Sequence, residues 1–194
     1  MNIYPRSRLT TSPRASKNSI EIHLAEYLKQ SAEGILRIDP APLQAILDRL
    51  FRYRIDRSGT VWVIGNGGSQ ANASHLVLHL QEHGIAAHDL LAESAALTAI
   101  SNDHDYAKVG SRMLRSMAIP DDMLVVISGS GDSPNIIMAL AEAKRMGLYR
   151  FGLLGFAGGM ALSLCNDHVL IASTNFGQLE DAHSALIHAI NNEL

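Results

Sequence analysis

The sequence predicts an α/β protein: one parallel five-stranded sheet with helices on both faces, a three-layer arrangement. Three observations predict it. Short continuous apolar runs, TVWVI at Thr60–Ile64 and MLVVIS at Met123–Ser128, read as strands buried on both faces. Each run leads straight into a loop of glycine and small polar residues, Gly65-Asn66-Gly67-Gly68-Ser69 and Gly129-Ser130-Gly131-Asp132-Ser133, and then into a segment of helical spacing. Strands and helices alternate from there to the end, the pattern of a mostly parallel sheet covered on both sides.

In chain order, Ile20, Leu24, Tyr27, Leu28, Ile35 and Leu36 recur at helical spacing across Ser19–Leu36. Asp39 and Pro40 punctuate the chain, and a second helix follows with Leu43, Ile46, Leu47 and Leu50. Both helices precede every strand, so neither is a βαβ crossover; they are expected to pack outside the sheet or against another subunit. After the strand at 60–64, a helix runs from the first loop to about His83 and a second strand covers Ile85–Leu91. Helices follow at Ala95–Asn102 and Tyr106–Met117. The strand at 123–128 and the second loop lead to a helix over Pro134–Met146, with Pro134 suited to its first turn. A strand at Phe151–Leu154, a glycine-rich turn at Gly155–Gly159, a short helix, a strand at His168–Ala172 and a helix at Leu179–Asn191 complete the reading.

Composition sets the class. At 194 residues the chain fits one domain, with residues 1–18 as a flexible tail and 19–194 as the domain with its leading helical hairpin. Hydrophobic residues at 47% against charged residues at 18% supply a real core. A formal net charge of −3 argues against a nucleic-acid partner, which needs a basic face. No apolar run reaches the roughly 20 residues that span a bilayer. The single cysteine, Cys165, excludes an intramolecular disulfide and fits a reducing compartment; flanked by Leu162 and Leu164, it reads as a small buried hydrophobe. The tail carries Arg6, Arg8, Arg14 and Lys17 without an acid, but lacks the apolar centre of a secretory signal. The expected location is cytoplasmic.

The two loops carry the chemistry. A Gly/Ser-rich loop entering a helix offers unpaired backbone N–H groups, a favourable dipole and hydroxyl donors to an anion. Gly65–Ser69 is not a P-loop, since it lacks the Lys-Ser/Thr ending, nor a dinucleotide fingerprint, since the third glycine is missing. One such loop is commonplace. Two at the C-terminal strand ends of one parallel sheet sit where ligands of open α/β sheets bind. Ser128, Ser130 and Ser133 are therefore candidate phosphate ligands, with Asn66 and Ser69 beside them.

The string GNGGS followed by a helix with a central His, then LTAISND, ISGSGDSPN and a terminal helix EDAHSALIH, resembles the phosphoheptose isomerases, which are SIS-domain proteins. The resemblance covers nearly the whole chain. It implies a single SIS domain of the flavodoxin- or Rossmann-like kind, a homotetramer with active sites at subunit contacts, and interconversion of sedoheptulose 7-phosphate with D-glycero-D-manno-heptose 7-phosphate. The phosphate loop then falls on Ser128, Gly129, Ser130 and Ser133, and sugar contacts on Asn66, Gly67, Gly68, Ser69, Asn102 and Asp103. The family's usual S-T-S-G-N-S differs here at Gly129 and Asp132; the Asp132 carboxylate is expected to cap the helix starting at Pro134.

The resemblance also implies a metal, zinc or another divalent first-row ion. The family's quartet of His, Glu, Gln and His becomes His75, His79, Glu180 and His188. On the residues alone, His at i and i+4 share a helix face as zinc-binding helices require, yet His79 among Leu76, Leu78 and Leu80 equally suits a hydrogen-bonded interior residue. Because the family's catalytic Glu is replaced by His79, the base passes to Glu180 or His188, with His188 favoured; His183, one turn from Glu180, is a lesser candidate. Two other readings stay open: an isomerase of a different phosphosugar, and a non-catalytic relative that binds or assembles, as one SIS protein does with the bacterial replication initiator.

Overall fold

The computed structural model describes residues 17–194. The flexible-tail reading of residues 1–16 lies outside the described residues, while Lys17 and Asn18, assigned to the tail from sequence, begin the first helix. That helix, α1 (Lys17–Leu36), is followed by α2 (Ala41–Asp56), β1 (Val61–Ile64), α3 (Gly68–Glu82), β2 (Ala87–Asp89) and α4 (Ser94–Asp103). A 3₁₀ turn (Tyr106–Lys108) precedes α5 (Val109–Met117), β3 (Met123–Ser128), α6 (Pro134–Met146), β4 (Tyr149–Leu154), α7 (Gly159–Leu164), β5 (Asp167–Leu170) and α8 (Phe176–Glu193).

All five strands pair in parallel, in the order β2-β1-β3-β4-β5. Side chains alternate across each strand, so both sheet faces need an apolar cover. Val61, Val63, Met123, Val125, Ile127, Phe151 and Leu153 face α2, α3 and α8. Trp62, Ile64, Leu124, Val126 and Leu154 face the α5–α6 layer through Val109, Leu114, Ile136 and Leu140. Between the layers, buried Asp122 accepts hydrogen bonds from Thr60 N, Ile119 N and the Trp62 indole at 2.9–3.0 Å, which locks the lower end of β1 to the strand beside it.

Three elements differ most from the sequence reading. Helix α2 is not outside the sheet: Ile46, Leu50 and Tyr53 are buried in one core face, each such side chain contributing about 1.5–3 kcal/mol by leaving water. Helix α1 does stay outside, leaning on α8. Strand β2 is shorter than Ile85–Leu91; Ile85 and Leu90 are buried, but only Ala87–Asp89 find partners on β1. Helix α8 begins three residues before Leu179, because the Asn175 side chain accepts from Gly177 N and Gln178 N and caps the turn.

The strand order reverses direction between β1 and β3. Connections leave these neighbours toward opposite edges, opening a crevice at their C-terminal ends. Both glycine-rich loops lie there.

Candidate active site

The structure brings the two loops together. Asn66, Ser69, Ser128, Gly129, Ser130 and Ser133 line one small hollow with Phe176 and Glu180. Gly67 leads into α3 at φ +55°, a conformation that a side chain resists, and thereby opens the backbone toward the crevice. In the second loop Gly131 has φ +71°, and a Cβ there would overlap the Gly158 carbonyl, so that position tolerates only hydrogen.

What joins the loops was not legible in the sequence. Asn66 and Asn135 exchange two amide hydrogen bonds, each 2.9 Å, and the Tyr106 hydroxyl donates to Asn66 Oδ1 at 2.7 Å. Asn135 is buried at the start of α6, so it anchors β1's loop to β3's helix. Gln70 secures the other side, accepting from Gly65 N at 3.0 Å and donating to Asp89 Oδ2 at 2.5 Å. No pattern of spacing marks these contacts; only the switch-point topology places an early α3 residue beside an early α6 residue.

The two departures in the second loop have structural partners. Asp132 does not cap α6. Its Oδ1 accepts from Met160 N at 2.8 Å, at the start of α7, which carries the carboxylate away from the serines. Gly129 makes room for an aromatic ring: a Cβ on it would come within 2.9 Å of Phe176, which stacks edge-on against Phe156 at 5.0 Å. Phe176, unmarked in the sequence, is one wall of the hollow.

Helices α3 and α8 lie side by side and run parallel. Asn72 Nδ2 donates to the Glu180 carbonyl at 2.9 Å, and His83 Nε2 meets Asn191 Oδ1 at 3.0 Å. Both pairs share one offset in residue number, so the helices keep register over three turns. That register sorts the expected quartet. Glu180 sits level with the beginning of α3, where a Cβ on Gly68 would overlap its carboxylate, and it lines the serine hollow. His188 sits two turns further on, level with His75 and His79.

Glu180 therefore does not join the histidines. His75, His79 and His188 form a cluster by themselves, each with one ring nitrogen within 4.8 Å of the others. Ring centroids are 4.4 Å (His75–His79), 5.1 Å (His75–His188) and 5.8 Å (His79–His188) apart. Partial burial, then the neighbouring imidazoles His79 and His188, hold His75 below the usual histidine range. His79 Nε2 is buried without a hydrogen-bond partner, the condition of a ligand atom rather than of a satisfied interior histidine. The donor set fits a first-row divalent ion: tetrahedral zinc with bonds of about 2.0–2.1 Å needs nitrogens roughly 3.4 Å apart, a contraction within reach of side-chain torsions.

Among the other expected residues, Asn102 and Asp103 end α4, exposed and hydrogen-bonded to each other at 2.9 Å, and they do not line the hollow. His183 is fully buried on the core side of α8, away from the cluster. Cys165 packs against the second core face, and burial pushes its thiol up to about 12, the state of an inert hydrophobe.

Comparison with known proteins bears on this arrangement. The SIS-domain family model matches residues 25–155. The phosphoheptose isomerase of Trichlorobacter lovleyi is 32% identical over 88% of this chain and 87% of its own. A probable phosphoheptose isomerase of Thermoplasma volcanium is 38% identical over 86% of this chain and 88% of its own. Among solved structures, the phosphoheptose isomerase of Neisseria gonorrhoeae superposes with a TM-score of 0.82 at 28% identity, covering 90% of this chain and 96% of that one. With a parallel sheet whose switch point gathers both serine-glycine loops, and with relatives matching over most of its length, this chain belongs to the phosphoheptose isomerase family of SIS-domain proteins and is an isomerase.

Proposed function

We propose that this chain interconverts sedoheptulose 7-phosphate and D-glycero-D-manno-heptose 7-phosphate through an enediol, with zinc or another divalent first-row ion held by His75 and His79, and with His188 beside them as the base. The observation that carries the proposal is the placement of an anion cradle against the first turns of α3 and α8, with a three-imidazole cluster further along the same pair of helices. Glu180 marks the cradle end and His188 the cluster end, about 12 Å apart along α8 at 1.5 Å per residue. An extended seven-carbon chain has its ends roughly 8 Å apart with C–C bonds of about 1.5 Å, so a phosphate in the cradle leaves C1 and C2 near the histidines.

Each residue then has a task. The Ser128, Ser130 and Ser133 hydroxyls and the loop N–H groups hold the phosphate. The Asn66–Asn135 pair keeps the crevice at fixed width. His188 removes the proton from C1 of the ketose, and the proton returned to C2 completes the aldose. Glu180 is placed beside the cradle to hold or relay a proton on the sugar oxygens. A metal ion held there would polarise the carbonyl and offset negative charge on the sugar oxygens. Relative to the family quartet, the carboxylate has moved to the cradle end and an imidazole has taken its place.

A proton NMR time course with sedoheptulose 7-phosphate in D2O, using zinc-supplemented protein, tests the proposal. Aldose signals with deuterium at C2 are expected. No turnover by folded, zinc-loaded protein overturns it and points to a different phosphosugar or a non-catalytic role.

We also propose self-association as a homotetramer, with α1 at the contact. Ile20, Leu24 and Leu28 lie at successive i+4 positions on α1 and are 59%, 55% and 56% exposed, an apolar stripe unusual for a helix facing water. The helix is held to the body by polar bonds, Tyr27 Oη to Asp181 Oδ2 at 2.6 Å and Gln178 Nε2 to Gln30 Oε1 at 2.9 Å, which leaves the stripe outward. In analytical ultracentrifugation the protein is expected at about four times its 21.0 kDa chain mass. The Leu24→Glu/Leu28→Glu variant is expected to sediment as a smaller species. A monomeric wild type sinks the idea.

A further inference from the structure

Three residues beyond His79 on α3, Glu82 turns its carboxylate back onto the ring, with Oε2 3.2 Å from His79 Nδ1. An i,i+3 pair on an open helix face is ordinarily a surface contact of small worth, and the Glu82 side chain is 62% exposed. The other end of the imidazole makes this one different. The His79 side chain is only 15% exposed, and its Nε2 is buried with no hydrogen-bond partner. That leftover atom is the one with which His79 can join His75 and His188.

A carboxylate only accepts hydrogen bonds, so the Nδ1 beside it carries the proton and Nε2 is left as a bare lone pair. We infer that Glu82 is the positioning residue of the histidine cluster: it fixes His79 in the Nδ1–H tautomer and presents the Nε2 lone pair toward His75 and His188. Carboxylates play this part behind metal-ligating histidines, setting ring orientation and raising ligand basicity. The arrangement also accounts for the family's Glu being His79 here. Besides Glu180 on α8, a second carboxylate thus stands on the helix that carries the family's Glu, one turn beyond that position, and it acts through the imidazole. The role in tautomer selection stands on the geometry alone; its value for metal binding rests on the proposed metal-assisted reading.

The test has two arms on the full-length protein. With 15N-labelled histidine and metal removed, long-range 1H–15N spectra above pH 8 report the tautomer of each neutral ring; the His79 signals are those lost in His79→Gln. The wild type is expected to show Nδ1–H, Glu82→Gln to retain it through the amide oxygen, and Glu82→Ala to shift toward Nε2–H. An Nε2–H wild type, or a spectrum unchanged in Glu82→Ala, overturns the inference. In the second arm, zinc affinity is measured by competition with a chromophoric chelator. Glu82→Ala is expected to bind about 10–100-fold more weakly, with Glu82→Gln between it and wild type; equal affinities overturn the inference. A wild type that binds no zinc, but whose His79 tautomer responds to Glu82, confirms the positioning role and removes the metal-assisted reading instead.

Discussion

Replacing His188 by Ala is expected to lower kcat for the heptose phosphate by about 1,000-fold, with KM changed only a few-fold. The asymmetry follows from where the residue sits. The serine loops that would hold the phosphate lie two turns away and are untouched. His188 is exposed, whereas Leu179, Ala182, Leu186, Ile187 and Ile190 of the same helix make its buried stripe, so the fold does not depend on this ring. The variant removes both the assigned base and one of three imidazoles in the cluster. Measuring bound zinc separates the two roles: a variant that keeps its zinc but not its rate lacks a base, while one whose rate returns with excess zinc lacks a ligand. His83→Ala is the control, since His83 bonds Asn191 at the far end of the same helix pair and lies outside the cluster. Full activity in His188→Ala, measured by the same NMR time course, would remove His188 from the mechanism.

The parts of this site that are legible in the sequence are those written in local chemistry. Apolar runs ending in Gly/Ser loops give β1, β3 and the cradle, because a doubly buried strand and an anion-binding turn each need particular residues at consecutive positions. The His75/His79 pair is legible because helical spacing puts i and i+4 on one face. The rest depends on distances between elements. Asn135 and Tyr106 gain their meaning only from meeting Asn66 across the switch point. The Asp132 side chain had two helix starts within reach, and the nearer one in sequence was not the one it caps. Glu180 and His188 occupy the same face of α8, but the parallel register of α3 and α8 assigns one to the cradle and the other to the histidines. Phe176 carries no motif, and its place in the hollow depends on Gly129 lacking a side chain.

The protein is also expected to lose stability toward acid earlier than its carboxylates explain, and His183 is the reason. Its side chain is fully buried, and burial pushes it from 6.5 down to about 4 against a smaller opposing effect of the Leu154 backbone. The folded protein thus keeps this ring neutral at pH values where the unfolded chain would protonate it. Proton uptake favours the unfolded state as pH falls below 6.5, and the loss continues until the folded ring titrates near 4. Measured against pH 8, the loss at pH 5 amounts to about 2 kcal/mol. Glu142 acts lower on the scale: hydrogen bonds from Arg115 and Arg145 hold it at about 2 against 4.5, so its contribution is lost only as pH falls through that lower window. His183→Leu should therefore flatten the limb between pH 8 and 5 and leave the Glu142 limb in place. At neutral pH it should cost little, because a polar ring leaves the core and an apolar side chain of similar size takes its place. Urea unfolding at pH 8 and 5, at one protein concentration since self-association adds to apparent stability, provides the comparison. His75 is shifted in the same direction and titrates in both proteins, so the difference between variant and wild type isolates His183. An unchanged slope in His183→Leu would mean that the ring accepts a proton in the folded core and is not held neutral by burial.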